Sequence, residues 1–89
     1  MAEYKVEWKR SAVKELEKLP RQAVPHIVEA VRNLTSDPFP FGTRKLAGSE
    51  QTYRIRVGVY RILYSVHVDI FIVEIIRVRH RKDVYKRRK

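Results

Sequence analysis

The stretch YRIRVGVYRILY, residues 53–64, admits few arrangements of the chain around it. Two alternating runs flank Gly58-Val59, and a glycine in first place suits a two-residue hairpin turn. Such a turn pairs Tyr53 with Tyr64, Ile55 with Ile62 and Val57 with Tyr60 on one face. On the other face it pairs Arg54 with Leu63 and Arg56 with Arg61. A slip of one residue would send the arginines into the core, so the register is strongly specified. Like charges placed directly opposite each other destabilise a sheet. Arg56 against Arg61 therefore needs a reason other than local stability.

The remaining elements follow from periodicity. Residues 3–8 alternate, with Tyr4, Val6 and Trp8 on one side, as in a half-buried strand. Ser11 stands at an N-cap position, and Ala12, Val13, Leu16 and Leu19 recur at helical spacing until Pro20. A second helix spans about residues 22–34, with Pro25 in its first turn and a stripe of Ile27, Val28, Val31 and Leu34. Residues 35–52 read as a long loop, pinned to the core by Phe39, Phe41 and Leu46. Strands follow at about 52–57, 60–66 and 70–79, the last apolar on both faces as a central strand would be. The order β-α-α-β-β-β predicts an α+β domain, a helical hairpin packed on one face of a small, largely antiparallel sheet. Residues 1–89 are expected to form a single domain with a basic tail at about 80–89.

The charge is uneven. Twenty Lys and Arg stand against ten acidic residues, a net charge of +10. Residues 1–50 contribute +2 and residues 51–89 contribute +8. A polyanionic partner explains that concentration, nucleic acid first, with an acidic protein or an anionic membrane as alternatives. The absence of cysteine excludes disulfides and thiolate metal sites and is compatible with a reducing cytosol. No apolar run approaches the length of a membrane span, and the N-terminal residues lack a signal-peptide core. No metal cluster or glycine-rich nucleotide loop is present, so no cofactor is implied.

The tyrosine and isoleucine face of the hairpin belongs against the helices. The opposite face presents Arg54, Arg56 and Arg61 with no acidic residue on the hairpin. Arginine offers a planar fork matched to phosphate oxygens and stays charged at any working pH. These residues read as a phosphate-binding concavity, to which Lys45, Arg79 and Lys82 add positive charge. His80 lies in the same basic run, and an imidazole suits proton transfer as well as simple RNA contact. His26 and His67 are expected to be structural or solvent-facing. Tyr53, Tyr60, Tyr64 and Trp8 are expected in the core.

The runs KLAG at 45–48, YRIRVGVYRILY at 53–64 and IIRVRHRKDVY at 75–85 resemble the RelE/ParE superfamily of bacterial and archaeal toxins, most closely its RelE branch. The resemblance covers nearly the whole chain. It implies a ribosome-dependent endoribonuclease that cuts mRNA by attack of a ribose 2′-hydroxyl on the adjacent phosphate. Such chemistry needs a base, cations for the phosphorane charge and a proton for the leaving oxygen. By matching positions, Arg61 would clamp the scissile phosphate, and Arg81 would add charge or protonate the leaving group. Tyr85 would stack on a base or help activate the nucleophile. Arg54 and Arg56 stand where well-studied members carry lysines, and arginine cannot take over a proton-transfer role. Proton transfer would then fall to Tyr85 or His80.

The resemblance also implies an acidic, RelB-like antitoxin that forms a hetero-oligomer with the toxin, action on the ribosome in the cytoplasm, and no cofactor. Two other readings keep the same fold. One is a ParE-like inhibitor of DNA gyrase, and the other a catalytically weak module that binds nucleic acid or antitoxin.

Overall fold

The computed structural model describes residues 3–82. The chain runs β1 (Lys5–Trp8), α1 (Arg10–Glu17), α2 (Ala23–Asn33), β2 (Arg44–Lys45), β3 (Thr52–Val57), β4 (Tyr60–His67) and β5 (Ile72–His80). The five strands form one sheet in the order β1-β5-β4-β3-β2. β1 pairs parallel with β5, while the other three pairings are antiparallel. The predicted α+β class and element order hold, with β2 added from within the long loop. The β3–β4 register is the one the glycine turn dictates, from Thr52↔Ser65 to Val57↔Tyr60. Gly58 supplies the positive φ of 62° that a first turn position requires.

Helix α1 starts two residues earlier than its sequence signal. Lys9 is the N-cap, in an extended conformation and with no side-chain cap, and Ser11 lies inside the first turn. The cause is tertiary. The Lys9 N–H donates to the Ile75 carbonyl at 2.9 Å, and its own carbonyl accepts from Val13 at 3.0 Å. The chain thus leaves the sheet and enters the helix at one residue.

Ala12, Ile27, Val31 and Leu34 from the helices meet Ile55, Ile62, Tyr64, Val66, Val73, Ile75 and Val78 from the sheet. Tyr4, Val6, Trp8, Tyr53 and Tyr60 pack around this core, as their alternation predicts. Val73, Ile75 and Val78 are all buried, although the step from 75 to 78 breaks strand alternation. A register shift resolves this. Leu63 pairs with Arg77 and Tyr64 with Ile75, so Ile76 is the extra residue of a bulge. The apparent two-faced hydrophobicity of this strand is partly that phase change.

Phe41 does not pin the long loop, since its side chain is fully exposed. The loop is held instead by the buried Tyr64 hydroxyl, which donates to the Pro38 carbonyl at 2.8 Å. Phe39 packs edge-on against Tyr53, with ring centroids 5.0 Å apart. Leu46 adds a backbone bond to Thr52 at 2.8 Å that closes the short β2–β3 pairing. The last strand begins at Ile72 rather than 70, because Phe71 adopts a φ of 55° and turns the chain. Its carbonyl accepts from Lys5 at 2.8 Å and so starts the parallel pairing with β1.

Burial raises the pKa of the Tyr64 hydroxyl, and its contact with Thr43 opposes that rise. Tyr64→Phe should lower stability by about 1–2 kcal/mol in urea unfolding, because the Pro38 carbonyl loses its buried donor. The raised pKa favours the neutral folded form, so its contribution is intact below the ordinary tyrosine value of about 10 and is lost at higher pH. The gap between wild type and Tyr64→Phe should therefore narrow in alkali. A gap that widens would contradict the assignment.

Candidate functional site

Four strands set the arginines in rows. Arg56 on β3 pairs with Arg61 on β4, and Arg61 pairs with Arg79 on β5. The next row runs Arg44, Arg54, Leu63, Arg77. Both rows lie on the sheet face away from the helices, because their neighbours Ile55 and Ile62 point into the core. The chain then bends at the end of β5. The Arg81 N–H donates to the Val59 carbonyl at 2.8 Å, which ties this segment to the tip of the β3–β4 hairpin. Arg56, Gly58, Val59, Tyr60, Arg61, Arg81 and Lys82 thereby line one cavity of about 380 Å³.

Arg61 lies at the centre of the basic row. Its Nε is buried and has no hydrogen-bond partner. A buried donor left unpaired costs about 1–3 kcal/mol, more when it belongs to a charged group. Register places Arg56 on one side of Arg61 and Arg79 on the other. A second cavity of about 600 Å³ lies between the start of α2 and the hairpin turn. It is larger, but its walls include Pro20, Ala23, Ile27 and Val57 and no arginine or lysine. Charge, not size, marks the smaller cavity as the functional candidate.

The structure brings together Arg56, Arg61, Arg81 and Lys82 from the sequence-derived set, with Arg54 one row away. It does not bring Lys45 there. Lys45 pairs with Tyr53, whose ring packs towards the core, so register puts it on the helix side of the sheet. Arg44 takes the place beside Arg54. The sequence signal for this was weak, because a two-residue strand has almost no alternation to read. His80 also misses the cavity. It pairs with Tyr60, packs edge-on against that ring at 5.4 Å, and its Nδ1 accepts from the Lys82 N–H at 3.0 Å. That bond leaves the proton on Nε2 and makes His80 a support for the strand end. Arg79 is engaged by Glu15, with Nε to Oε2 at 3.0 Å. Tyr85 lies outside the described residues.

Chemically, the cavity can bind and polarise an anion, and its three guanidiniums cannot serve as proton acceptors. Among the described residues, no group of three or more His, Asp or Glu side chains could hold a metal ion. No described helix is long and apolar enough to cross a membrane.

The fold and the site together define an α+β domain with a basic cavity at the tip of the β3–β4 hairpin, and comparison with known proteins places it in a family. The family described as ParE toxin of type II toxin-antitoxin system, parDE, matches residues 6–85. Toxin RelG of Mycobacterium tuberculosis is 38% identical over 88 residues, covering 94% of this chain and 98% of the relative. Putative toxin RelE1 of Methanocaldococcus jannaschii is 31% identical over 86 residues, covering 93% and 96%. The structure of the RelBE2 toxin-antitoxin complex from M. tuberculosis matches with a TM-score of 0.79 and 30% identity, covering 89% of this chain and 99% of that one. The RelE-RelB complex from Pyrococcus horikoshii matches with a TM-score of 0.78 and 31% identity, covering 88% and 94%. The chain belongs to the RelE/ParE superfamily of type II toxins.

Arg61→Met should make the free protein more stable, by about 1 kcal/mol. It removes like-charge cross-strand pairs and a buried orphan donor while keeping an unbranched stem. Urea unfolding measures this. A clear loss of stability would mean that Arg61 is a structural residue.

Proposed function

We propose that the chain is the toxin of a RelBE-type module and acts by cleaving mRNA on the ribosome. The observation that carries this reading is the cavity lined by Arg56, Arg61, Arg81 and Lys82, four cations with no acidic side chain in its wall. A scissile phosphate would supply the missing negative charge. As the 2′-hydroxyl attacks, charge on the phosphorane oxygens grows, and fixed guanidiniums stabilise it more than they stabilise the ground state. Arg61 is the central clamp and Arg81 its partner from the far side of the hairpin tip. Arg56 and Lys82 hold flanking charge. The proton steps need a group that titrates, and Tyr85 is the candidate, since His80 is turned to Tyr60 and Lys82. Work on the ribosome would place the protein in the cytoplasm.

The proposed partner is a RelB-like antitoxin. Relatives of known structure are complexes of a toxin with such a protein. The +8 charge of residues 51–89 would draw an acidic antitoxin segment to the same face that binds RNA.

Primer extension on ribosome-bound mRNA tests the activity. Wild type should cut within codons. Arg61→Ala and Arg81→Ala should each reduce cutting by about 10²–10³-fold, the usual loss of one donor to a developing oxyanion. Tyr85→Phe should lower the rate more than the affinity. No cutting by wild type, with inhibition of DNA supercoiling in its place, would assign the chain to the gyrase-directed branch.

A further inference from the structure

Glu15 does not line the cavity, yet it makes three contacts to the strand that does. Oε1 accepts from the Val78 backbone N–H at 2.8 Å. Oε2 accepts from Arg77 Nη1 at 3.1 Å and from Arg79 Nε at 3.0 Å. The reason lies in the sheet. Pairing of β1 with β5 ends at Trp8↔Ile75, and the Lys9 bond to Ile75 follows it. Beyond that point the edge of β5 has no strand beside it. Helix α1 starts there, and a carboxylate on its second turn takes the backbone donor that a longer β1 would have taken.

The same carboxylate edits the charge of the face. Arg79 is the cross-strand neighbour of Arg61, and Arg77 lies one row further. Both are paired with Glu15, whose side chain is only 23% exposed. Among the described residues, Arg56, Arg61, Arg81 and Lys82 form no ion pair with an acidic side chain. One acidic residue thus divides the basic surface into a neutralised edge and a charged cavity.

We infer that Glu15 is a positioning residue for the anion site. It withdraws Arg77 and Arg79 from phosphate binding, so that RNA phosphate is drawn to Arg61 rather than to the strand edge. It also fixes the end of β5 from which Arg81 projects. This inference rests on the reading that the face binds RNA.

The number of phosphates that a protein neutralises can be counted from salt dependence. For single strands, log K falls against log salt with a slope of about 0.7 per contact. Binding of an uncleavable 2′-O-methyl octaribonucleotide, measured by fluorescence anisotropy across a NaCl series, gives that slope. Glu15→Gln should steepen it by about 0.7–1.4, as one or both released arginines find phosphates. The triple variant Glu15→Gln, Arg77→Gln, Arg79→Gln should return to the wild-type slope. Arg77→Gln with Arg79→Gln, in a chain that keeps Glu15 and its Val78 bond, should also match wild type. This last variant decides the matter even if Glu15→Gln fails to fold. An unchanged slope in folded Glu15→Gln, or a shallower one in Arg77→Gln with Arg79→Gln, would overturn the role given to Glu15. A wild type that binds the oligonucleotide without salt dependence would instead remove the RNA reading itself.

Discussion

The pairing of β3 with β4 governs the rest of the structure. Ile55 against Ile62 and Tyr53 against Tyr64 face the helices, and that choice leaves Arg56 against Arg61 on the other side. Sheet parity allows no compromise, because every residue that enters the core sends its neighbours out of it. The hydrophobic side wins by magnitude. A fully buried Ile or Tyr side chain gains about 1.5–3 kcal/mol from burial, whereas a like-charge cross-strand pair loses about 0.2–1 kcal/mol. The core thus holds the arginines in an arrangement that they would not adopt on their own account.

Function enters through that imbalance. Under the proposed reading, an arriving phosphate would relieve the repulsion around the half-buried Arg61. Such a site would be preorganised for negative charge, with the cost carried by the folded core rather than by the binding event. The tie from Arg81 to Val59 brings the end of the last strand to the hairpin tip and completes the cavity from a second direction. Glu15 acts in the opposite sense and removes two arginines from competition at the edge.

The hairpin was legible in the sequence because its information is local: one glycine and two alternating runs. The helices were legible as well, apart from the exact entry of α1, which a bond to Ile75 decides. What could not be read depends on contacts far apart in the chain. Glu15 meets partners 62–64 residues away, and no pattern in its own helix announces them. The side of the sheet on which Lys45 falls is not legible, because β2 has two residues and takes its parity from β3. His80 could have been excluded by counting: it follows Arg79, which shares a face with Arg61, so His80 must point to the other. The bulge at Ile76 is the reminder that such counting holds only within one uninterrupted stretch of ladder.

The proposed role of Arg61 is to receive an anion. Side-chain NMR of the arginine Nε–H groups, recorded while a 2′-O-methyl trinucleotide is added, observes that directly. The Arg61 resonance should move most as the oligonucleotide binds, with Arg56 and Arg81 following and with Arg77 and Arg79 nearly still. Saturable binding that leaves the Arg61 resonance in place, or that moves Arg77 and Arg79 instead, would contradict the account.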